Sequence, residues 1–567
     1  MILKALYDYY NRCNNLPARG LEEKEIGFLI VLSPNGQFLR FEDCRTGKDR
    51  ARAYLVKKHV GRSSAAVANY LYDNSAYVLG YSEKTNGKEQ LYFDTFKEKV
   101  ESIEDAFPDN KDITAIRKFY GNSRDMIIEL VSQDALWEDI KKNLSKKYST
   151  FSFRIEGDLK IVAEKKELLQ LENSQDEANV THLCLVSGKH GPSVETTTAT
   201  MIPGSQAKAK LVSFQVNSGY DSYGKTKCGN APISEEAEFA YTTALNSMLQ
   251  KGSRNKFMLG SRTFVFWASN NNEASMETEE SLFDLLGFSE DTNDDPNANL
   301  MKVRKVFESI YSGIMKTGLD DKFYILGLAP NSARIAVVYW SETTLKDFAE
   351  KILRHFSDME IHDTRKDKKP YMGIREIISS VTLGGKMSDA IPNLPEAVVK
   401  SIFQGLPYPQ TLYSACLRRI RAEQKLTITR AAIIKAYLNR QSNNNKKIDI
   451  MLDKDNNNQG YLCGRLFAVL DKIQEDANNI SSIRERYMNA ASATPSAVFA
   501  TILNLSVHHS EKLDEGRRIY FEKLKQEILD KVSADGFPTH LDLQDQGRFF
   551  VGYYHQRQDF FTIKKEQ

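Results

Sequence analysis

Residues 219–226 read GYDSYGKT and match the phosphate-binding pattern G-x-x-x-x-G-K-[ST]. In that pattern, backbone amides at the start of a helix cradle phosphates, the lysine reaches them, and the hydroxyl binds Mg²⁺. The pattern needs a strand before it and a helix directly after it. It raises the hypothesis of a nucleotide-dependent enzyme that uses residues 219–226.

The residues around this motif argue against a working nucleotide site. Residues 210–216 (KLVSFQV) alternate in a way that predicts a half-buried strand ahead of the motif. Behind it, KCGNAP at 227–232 keeps the chain in a loop, and Ser234 is the first residue suited to cap a helix. A Walker B strand is hard to find, because the nearest match, residues 335–342, is the second arm of a predicted hairpin.

The other reactive side chains do not form a recognisable catalytic or metal-binding group. His182, Cys184, His190 and Cys228 lack the spacing of zinc ligands, and the apolar LCLV run around Cys184 favours a buried structural thiol. No Ser-His-Asp or Cys-His arrangement has supporting context. We expect no catalytic centre, no metal and no cofactor.

The charges of this chain are strongly segregated. Its 567 residues are 41% hydrophobic and 27% charged, with a net charge of only +2. Residues 40–62 carry eight Lys and Arg against three Asp and Glu, residues 411–450 carry nine against two, and residues 273–300 carry nine acids and no Lys or Arg. Separate basic patches indicate contact with a polyanion at chosen places. Six scattered cysteines and the lack of a long apolar run predict a cytoplasmic protein without a membrane span.

The first basic patch combines the residue types that nucleic-acid interfaces use. Lys57, Lys58 and Arg62 suit phosphates, and the Asn74 amide suits base edges because it both donates and accepts hydrogen bonds. Tyrosines that follow the patch suit stacking on bases, although each of them equally suits a buried core.

The second basic patch falls on two predicted helices. Arg418, Arg421 and Lys425 share one face of the first helix. The second helix carries three more cations away from its apolar stripe: Arg430, Lys435 and Arg440. Such faces either follow a phosphate backbone or are simply solvated, and the scarcity of acids favours nucleic acid.

Hydrophobic periodicity predicts an α+β fold, with a mixed N-terminal part that contains β-hairpins and an all-α C-terminal bundle. The hairpins turn at SPNG (33–36) and APNSA (329–333). The predicted domains are 1–205, 206–362 with an acidic insertion at 270–299, a basic helical region at 371–450, and a helical bundle at 451–567. The insertion is predicted to be solvated and to contain one short amphipathic helix. Helices of the C-terminal half are predicted near 395–404, 408–424, 429–440, 461–478, 495–507, 511–532 and 541–560.

Four long blocks carry a family resemblance: DNSAYVLG (73–80), SFQVNSGYDSYGKTKCGNAPISEEAEFAYTTALNSML (213–249), FYILGLAPNSARIAVVYW (323–340) and GYLCGRLFAVLDKIQ (460–474). In this order they resemble the large subunit of the type I-C CRISPR interference complex, Cascade. The resemblance implies a non-catalytic subunit that recognises the protospacer-adjacent motif (PAM) in target double-stranded DNA and helps to open the duplex. Its implied partners are crRNA, the Cascade backbone and 5′-capping subunits, the small subunit and the CRISPR helicase-nuclease.

The resemblance also suggests roles for single residues. Asn74 is expected at PAM base edges. Flanking phosphates are expected at Lys57, Lys58 and Arg62, and a displaced or target strand at Arg418, Arg421, Lys425 and Arg430. Lys225 and Lys227 are expected on a nucleic-acid phosphate rather than on ATP. The C-terminal region is implied to be made separately as the small subunit, from an internal start that we place at Met451.

Overall fold

The structure is a computed structural model of the chain. It describes residues 2–47, 50–60, 62, 65–83, 87–146, 148–169, 181–214, 221–250, 252–286, 298–365, 371–386, 389–441, 447–480 and 482–562. The chain divides into two compact units. The small unit comprises Asn14–Leu183 and His190–Ser193, and the large unit comprises Met1–Cys13, Cys184–Lys189 and Val194–Gln567.

The secondary structure confirms the predicted α+β class. In chain order the strands are β1 (Leu21–Ile26), β2 (Phe28–Leu32), β3 (Phe38–Asp43), β4 (Arg45–Gly47), β5 (Arg50–Lys57), β6 (Tyr72–Asn74), β7 (Thr150–Ile155), β8 (Thr181–Leu183), β9 (His190–Pro192), β10 (Lys256–Leu259), β11 (Arg262–Ala268), β12 (Lys322–Asn331) and β13 (Arg334–Thr344). The helices are α1 (Ile2–Arg12), α2 (Ser75–Val78), α3 (Glu89–Ala106), α4 (Lys111–Phe119), α5 (Arg124–Val131), α6 (Trp137–Asn143), α7 (Lys166–Leu169), α8 (Glu235–Leu249), α9 (Glu273–Leu285), α10 (Ala298–Ser312), α11 (Leu345–Met359), α12 (Ile374–Ser380), α13 (Leu394–Phe403), α14 (Gln410–Glu423), α15 (Ile428–Gln441), α16 (Gln459–Asn478), α17 (Ser482–Ala493), α18 (Pro495–Ser510), α19 (Glu515–Leu529) and α20 (Leu543–Asp559).

The small unit is built on a sheet with the strand order β3-β2-β7-β6. β2 pairs antiparallel with β3 and parallel with β7, and all five of its side chains are buried. Aromatic side chains of α3 and α4 and the residue that follows α4 cover Phe153 of β7: Phe96, Phe119 and Tyr120. A second sheet has the order β1-β5-β4. β6 is the strand that leads into the predicted PAM-reading residue Asn74.

Both predicted hairpins are confirmed. The first joins β2 to β3, and Gly36 in its turn has a φ of +84°. A Cβ at this glycine would lie only 2.7 Å from the Lys118 Cβ, so the turn requires glycine for both conformation and space. The second hairpin joins β12 to β13 and turns at Ser332, whose φ is +53°.

The large unit combines an antiparallel sheet, order β10-β11-β12-β13, with a helical bundle. The two faces of the sheet carry different helices. On one face, Trp267 of β11 contacts Tyr9 of α1, with 6.4 Å between ring centroids. On the other, Phe323 of β12 stacks on Phe348 of α11 at 4.7 Å. Because successive residues of a strand point to opposite faces, β11 and β12 are buried on both sides.

The first half of the acidic insertion predicted at 270–299 contains the predicted amphipathic helix, but the apolar side of that helix is buried and not solvated. Asn272 accepts a hydrogen bond from the Ser275 N–H and caps α9. α9 then buries Leu282 and Leu285 in the core of the large unit. The sequence predicts one short amphipathic helix around SLFDLLGF, and the helix in the structure begins earlier, at Glu273. Residues 287–297 lie outside the described part of the chain.

The seven predicted C-terminal helices are confirmed as α13–α16 and α18–α20, and α12 and α17 are additional. One apolar cluster runs through the sheet and the bundle, from Phe257 to Tyr554. The predicted domain borders near residues 362 and 450 therefore fall within one continuous hydrophobic core. The division of the chain into four domains stays a prediction.

Helices α16 and α20 approach each other most closely at glycines. A Cβ on Gly464 would lie 2.8 Å from the Phe549 carbonyl carbon and 2.9 Å from the Tyr553 amide nitrogen. A Cβ on Gly552 would lie 3.1 Å from the Tyr461 carbonyl carbon. Backbone atoms cannot move aside as a flexible side chain can, so this close helix crossing depends on glycine.

Candidate nucleic-acid interface

Asp73 organises the segment that holds the predicted PAM-reading residues. The Asp73 side chain lies on β6 and the residue is 1% exposed. One carboxylate oxygen accepts a hydrogen bond from the Asn69 N–H at 2.9 Å and pairs with the Arg62 guanidinium, and the other accepts from the Asn74 N–H at 2.8 Å. A single buried carboxylate thus fixes Arg62 and Asn74 relative to one another.

Arg62 is held at three points while part of it stays at the surface. Besides its ion pair with Asp73, its Nε donates to the Val67 carbonyl at 2.7 Å, and its guanidinium lies over the Tyr77 ring, 4.0 Å from the centroid. The side chain is still 27% exposed. These contacts orient the cation, which suits a contact with a phosphate at a defined position.

Asn74 is exposed at the end of β6 and the start of α2. Its side-chain oxygen accepts a hydrogen bond from the Ala76 N–H at 3.0 Å, so it caps this short helix. The cap orients the amide group, and the Asp73 carboxylate fixes the backbone beneath it. Asn74 is therefore presented at the surface in a defined conformation.

Lys57 and Lys58 differ in their surroundings. Lys57 is only 9% exposed, its ammonium lies 5.0 Å from the centroid of the Tyr70 ring, and burial, together with Lys99, lowers its pKa. The expectation that Lys57 presents a surface cation is wrong, because its side chain is enclosed by the small unit. Lys58 is half-buried and its N–H donates to the Gly20 carbonyl at 2.7 Å.

Glu22 on β1 holds the residues that follow β5. Its carboxylate accepts hydrogen bonds from the His59 N–H at 3.1 Å and from the Tyr72 hydroxyl at 3.0 Å, and it contacts His59 Nδ1 at 2.9 Å. Burial works against its charge, but the bonds from His59 and Tyr72 prevail and lower the Glu22 pKa. The chain beyond Lys58 is thus anchored on both sides of Arg62.

The described part of the GYDSYGKT motif, residues 221–226, is not arranged like a nucleotide-binding loop. Gly219 and Tyr220 lie outside the described residues, but α8 begins at Glu235 and is capped by Ser234, as predicted. Lys225 therefore stands in a loop and not at a helix start. The strand predicted at 210–216 is also absent from its described part, 210–214, which forms only a single bridge from Lys210 to Arg334.

The two lysines of this loop have different environments. Lys225 is exposed, whereas Lys227 pairs with Glu195 and its side chain is 41% exposed. The neighbouring Cys228 is buried and its thiol donates to the Val194 carbonyl. Of the two lysines, Lys225 is the more accessible, and its contact with a phosphate stays a prediction.

The second basic patch is smaller than predicted. Arg418 and Lys425 are exposed, and Arg421 donates to the Gln546 side chain. Arg430 is 5% exposed, donates to the Ser380 and Lys425 carbonyls at 2.9 and 2.8 Å, and pairs with Glu423 at 2.6 Å.

The second helix of this patch, α15, does not present a cationic face. Lys435 is 3% exposed, and burial lowers its pKa. The Arg440 side chain pairs with Asp358 at 2.6 Å and donates to the Ser401 carbonyl at 2.7 Å. The prediction of a cationic face on α15 is wrong, because α11, α12, α14 and α20 surround this helix.

Met451 lies in an irregular segment ahead of α16 and is 56% exposed. Hydrogen bonds attach this segment to the rest of the large unit. The Ile450 carbonyl accepts from the His362 N–H at 2.9 Å, and the Asn439 side chain bonds both the N–H and the carbonyl of Ile448. The expected start of the small subunit is therefore at an accessible position between helices.

Cys184 is a buried thiol, as predicted. It is 1% exposed and accepts a hydrogen bond from the Ser234 N–H at 3.2 Å. Within the described residues, His, Cys, Asp and Glu side chains form no cluster of three or more that could hold a metal ion. No helix in the described part of the chain has the length and apolar character needed to cross a membrane.

Sequence reasoning missed Asp73 and Glu22, the acids that position the basic segment. A signal for Asp73 was present, because an acid directly before a helix-capping asparagine sits where backbone N–H groups converge. Glu22 gave no local signal, since its partners His59 and Tyr72 lie far along the chain; the β1–β5 pairing brings the first of them back to Glu22.

The protein has an α+β fold, and the buried carboxylate of Asp73 holds the exposed residues Arg62 and Asn74 in its small unit. The chain belongs to the family described as "CRISPR-associated protein (Cas_Csd1)", which matches residues 6–561. It is thus a CRISPR-associated protein of Cascade, a system of antiviral defence, and the predicted family is confirmed at this level. No curated protein matches the chain.

Proposed function

We propose that this chain is the non-catalytic large subunit of a type I-C Cascade complex. In this role it recognises the PAM in target double-stranded DNA, aids duplex opening, stabilises the R-loop and recruits the helicase-nuclease. It works with crRNA, the backbone and 5′-capping subunits and the small subunit. The family match over residues 6–561 supports this proposal, as does the geometry around Asp73.

The observation that carries the proposal is the joint anchoring of Arg62 and Asn74 on Asp73. Reading a short DNA motif requires a polar group that meets base edges and a cation that fixes the register on the phosphates. The Asn74 amide can donate and accept, and Arg62 supplies the cation. Because both are fixed on the same buried carboxylate, their spacing is set before DNA arrives, which lowers the entropy cost of binding.

A short motif is enough for such a subunit, because base pairing with crRNA reads the rest of the target. The separated strands still need a path that tolerates any sequence. Arg418 and Lys425 are exposed cations on and just after α14, and Arg421 lies beside them. We assign the guidance of one strand to these residues and no longer to the buried Arg430.

The C-terminal helices supply the small subunit in this proposal. Translation that begins at Met451 would give a product with α16, α17, α18, α19 and α20, whose own contacts include the glycine-based crossing of α16 and α20. No observation favours the nucleotide-dependent alternative. The residues after Lys225 form only a short 3-10 helix, Lys227–Asn230, the next α-helix begins at Glu235, and β12 and β13 are antiparallel.

The test is duplex binding by the complete complex assembled with crRNA. We expect binding that requires the PAM and weakens steeply as salt rises from roughly 50 to 200 mM, because each neutralised phosphate releases counterions. Equal binding of duplexes with and without the PAM would overturn the assignment of PAM recognition to this complex.

A further inference from the structure

Tyr223, in the loop that contains the GYDSYGKT motif, has an unfavourable backbone conformation. Tyr223 has a φ of +60° and Gly224 a φ of +69°, and the Lys225 N–H donates to the Ser222 carbonyl at 3.2 Å. Two central residues with positive φ are the mark of a type I′ turn, whose first position favours Asn, Asp or Gly. A tyrosine here costs free energy that those residues would avoid.

Within the described part of the chain, burial of the Tyr223 ring does not offset this free-energy cost. Tyr223 is 93% exposed, which makes it the most exposed aromatic side chain among the described residues. The strained backbone conformation thus serves to hold an aromatic ring in solvent. Strain that the fold does not need is commonly found where a residue meets a ligand.

Hydrogen bonds and an ion pair tie the loop that carries Tyr223 to the large unit, so the backbone from which the ring projects is held in place. The Ser222 carbonyl also accepts from the Asn230 side chain at 3.0 Å. Further along, the Cys228 thiol bonds the Val194 carbonyl and Lys227 pairs with Glu195. α8, capped by Ser234, then continues the chain.

The surroundings of Tyr223 favour a nucleic acid over a protein partner. Between residues 221 and 230, no other large apolar side chain is exposed, whereas the residues that dominate a protein interface usually cluster in one well-packed patch. The next exposed residues are Gly224, Lys225 and Thr226. An isolated ring beside a cation is the combination by which proteins stack on an unpaired base and hold its phosphate.

We propose that Tyr223 stacks on an unpaired nucleobase in the assembled complex, while Lys225 contacts the adjoining phosphate. This inference rests on the proposed function, because the complex supplies unpaired bases both in the opened DNA and in crRNA. The shared ligand is an unstacked nucleotide. The two sources are distinguished by where the probe is placed.

The test uses 2-aminopurine, a base whose fluorescence falls when an aromatic ring stacks on it. The probe is placed one position at a time in the DNA strands or in crRNA, and the complete complex is assembled with wild-type, Tyr223→Phe, Tyr223→Ala or Tyr223→Gly chains. We expect a quenched position with wild type and Tyr223→Phe, and recovery of its fluorescence with Tyr223→Ala and Tyr223→Gly. Affinity for that strand should fall about tenfold with the loss of one stacked base.

Tyr223→Gly separates stacking from folding, because glycine relieves the positive φ. This variant should melt at the same temperature as wild type or higher and still lose the quenching. Tyr311→Ala, which removes another exposed tyrosine (47% exposed), is the control and should change neither signal. If the wild-type complex binds PAM-containing duplex but no position depends on Tyr223, this inference is wrong while the proposed function stands. If that complex does not bind the duplex, the proposed function itself fails.

Discussion

The buried carboxylate of Asp73 pairs with the guanidinium of Arg62, so a side chain enclosed by the small unit determines where a surface cation lies. The same carboxylate bonds the N–H of Asn74. The positions of Arg62 and Asn74 therefore depend on a residue that also contributes to the stability of the small unit. A substitution of Asp73 should affect both the positions of these two residues and that stability.

Asp73→Asn should loosen the segment without unfolding the unit. Asparagine keeps the size of the side chain but loses the charge that attracts Arg62, and a hydrogen bond to a charged group contributes about 2 kcal/mol. Amide hydrogen exchange in peptides that span residues 65–79 should become about 30-fold faster. The control is Asp125→Asn, whose side chain is 88% exposed and which should leave exchange unchanged. If the amides of this segment exchange equally fast in Asp73→Asn and in wild type, the ion pair does not hold the segment.

Gly464→Ala should destabilise the bundle, because its methyl group would overlap backbone atoms of α20. The expected loss is about 3 kcal/mol, the upper range for overpacking. Gly516→Ala is the matched control, since a Cβ there would meet only the Asp514 side chain at 3.4 Å. That change should stabilise α19 by about 0.5 kcal/mol through helix propensity. Urea unfolding of both variants, followed by circular dichroism, tests whether the two substitutions have opposite signs.

Two buried histidines predict loss of stability in acid. Burial lowers the pKa of His355 to about 3 and that of His555 to about 3, and each ring contacts a tyrosine hydroxyl, Tyr408 or Tyr461. Both stay neutral in the folded chain while the unfolded chain takes up protons near pH 6.5. Their contribution is therefore complete above about pH 6.5 and declines towards pH 3, by about 2 kcal/mol per histidine at pH 5.

The measurement is the unfolding free energy between pH 7.5 and 4.5 or so, for wild type and for His355→Gln and His555→Gln. Each substitution should make stability less dependent on pH. His540→Gln, at an exposed position, should reproduce the wild-type profile. If the unfolding free energy of His355→Gln and His555→Gln depends on pH as strongly as that of wild type, these rings do not cause the acid sensitivity.

Met451→Leu should remove a short C-terminal product while leaving the full-length chain intact. Met451 is 56% exposed, so leucine costs little in packing. A C-terminal tag and immunoblotting of expressing cells would reveal both species. Met488→Leu alters a methionine further along, on α17, and should leave the short product in place. Persistence of the short product in Met451→Leu would exclude this start site.

Local signals in the sequence predicted most of the fold. Pro-Asn-Gly and Pro-Asn-Ser turns between apolar runs predicted both hairpins, and Ser234 predicted the start of α8 because its side chain caps the helix. Thr494 shows the limit of such signals. The Thr494-Pro495 pair predicts a capping residue followed by the first residue of a helix. α18 does begin at Pro495, but the Thr494 hydroxyl donates to the Ala490 carbonyl behind it and does not cap the helix ahead.

The predictions from sequence were wrong where tertiary contacts determine whether a side chain is exposed or buried. Arg430, Lys435 and Arg440 are spaced like a solvated helix face, yet α15 is enclosed by other helices. Periodicity identifies which residues share a face but not what covers it. For the same reason the sequence could not show that Lys57 is buried beside Tyr70 or that Asp73 lies between Arg62 and Asn74.

The central claim is that Asn74 contacts the PAM, and the most direct measurement is the ratio of affinities of the complete complex for duplexes with and without a PAM. Asn74→Ala should reduce this ratio about tenfold or more, since a base-edge contact contributes about 1–3 kcal/mol. Asn110→Ala is the matched control, because Asn110 caps α4 in the same unit and its loss costs similar helix stability. We expect that only Asn74→Ala lowers the ratio. A ratio unchanged in Asn74→Ala, or lowered equally in Asn110→Ala, would contradict the central claim.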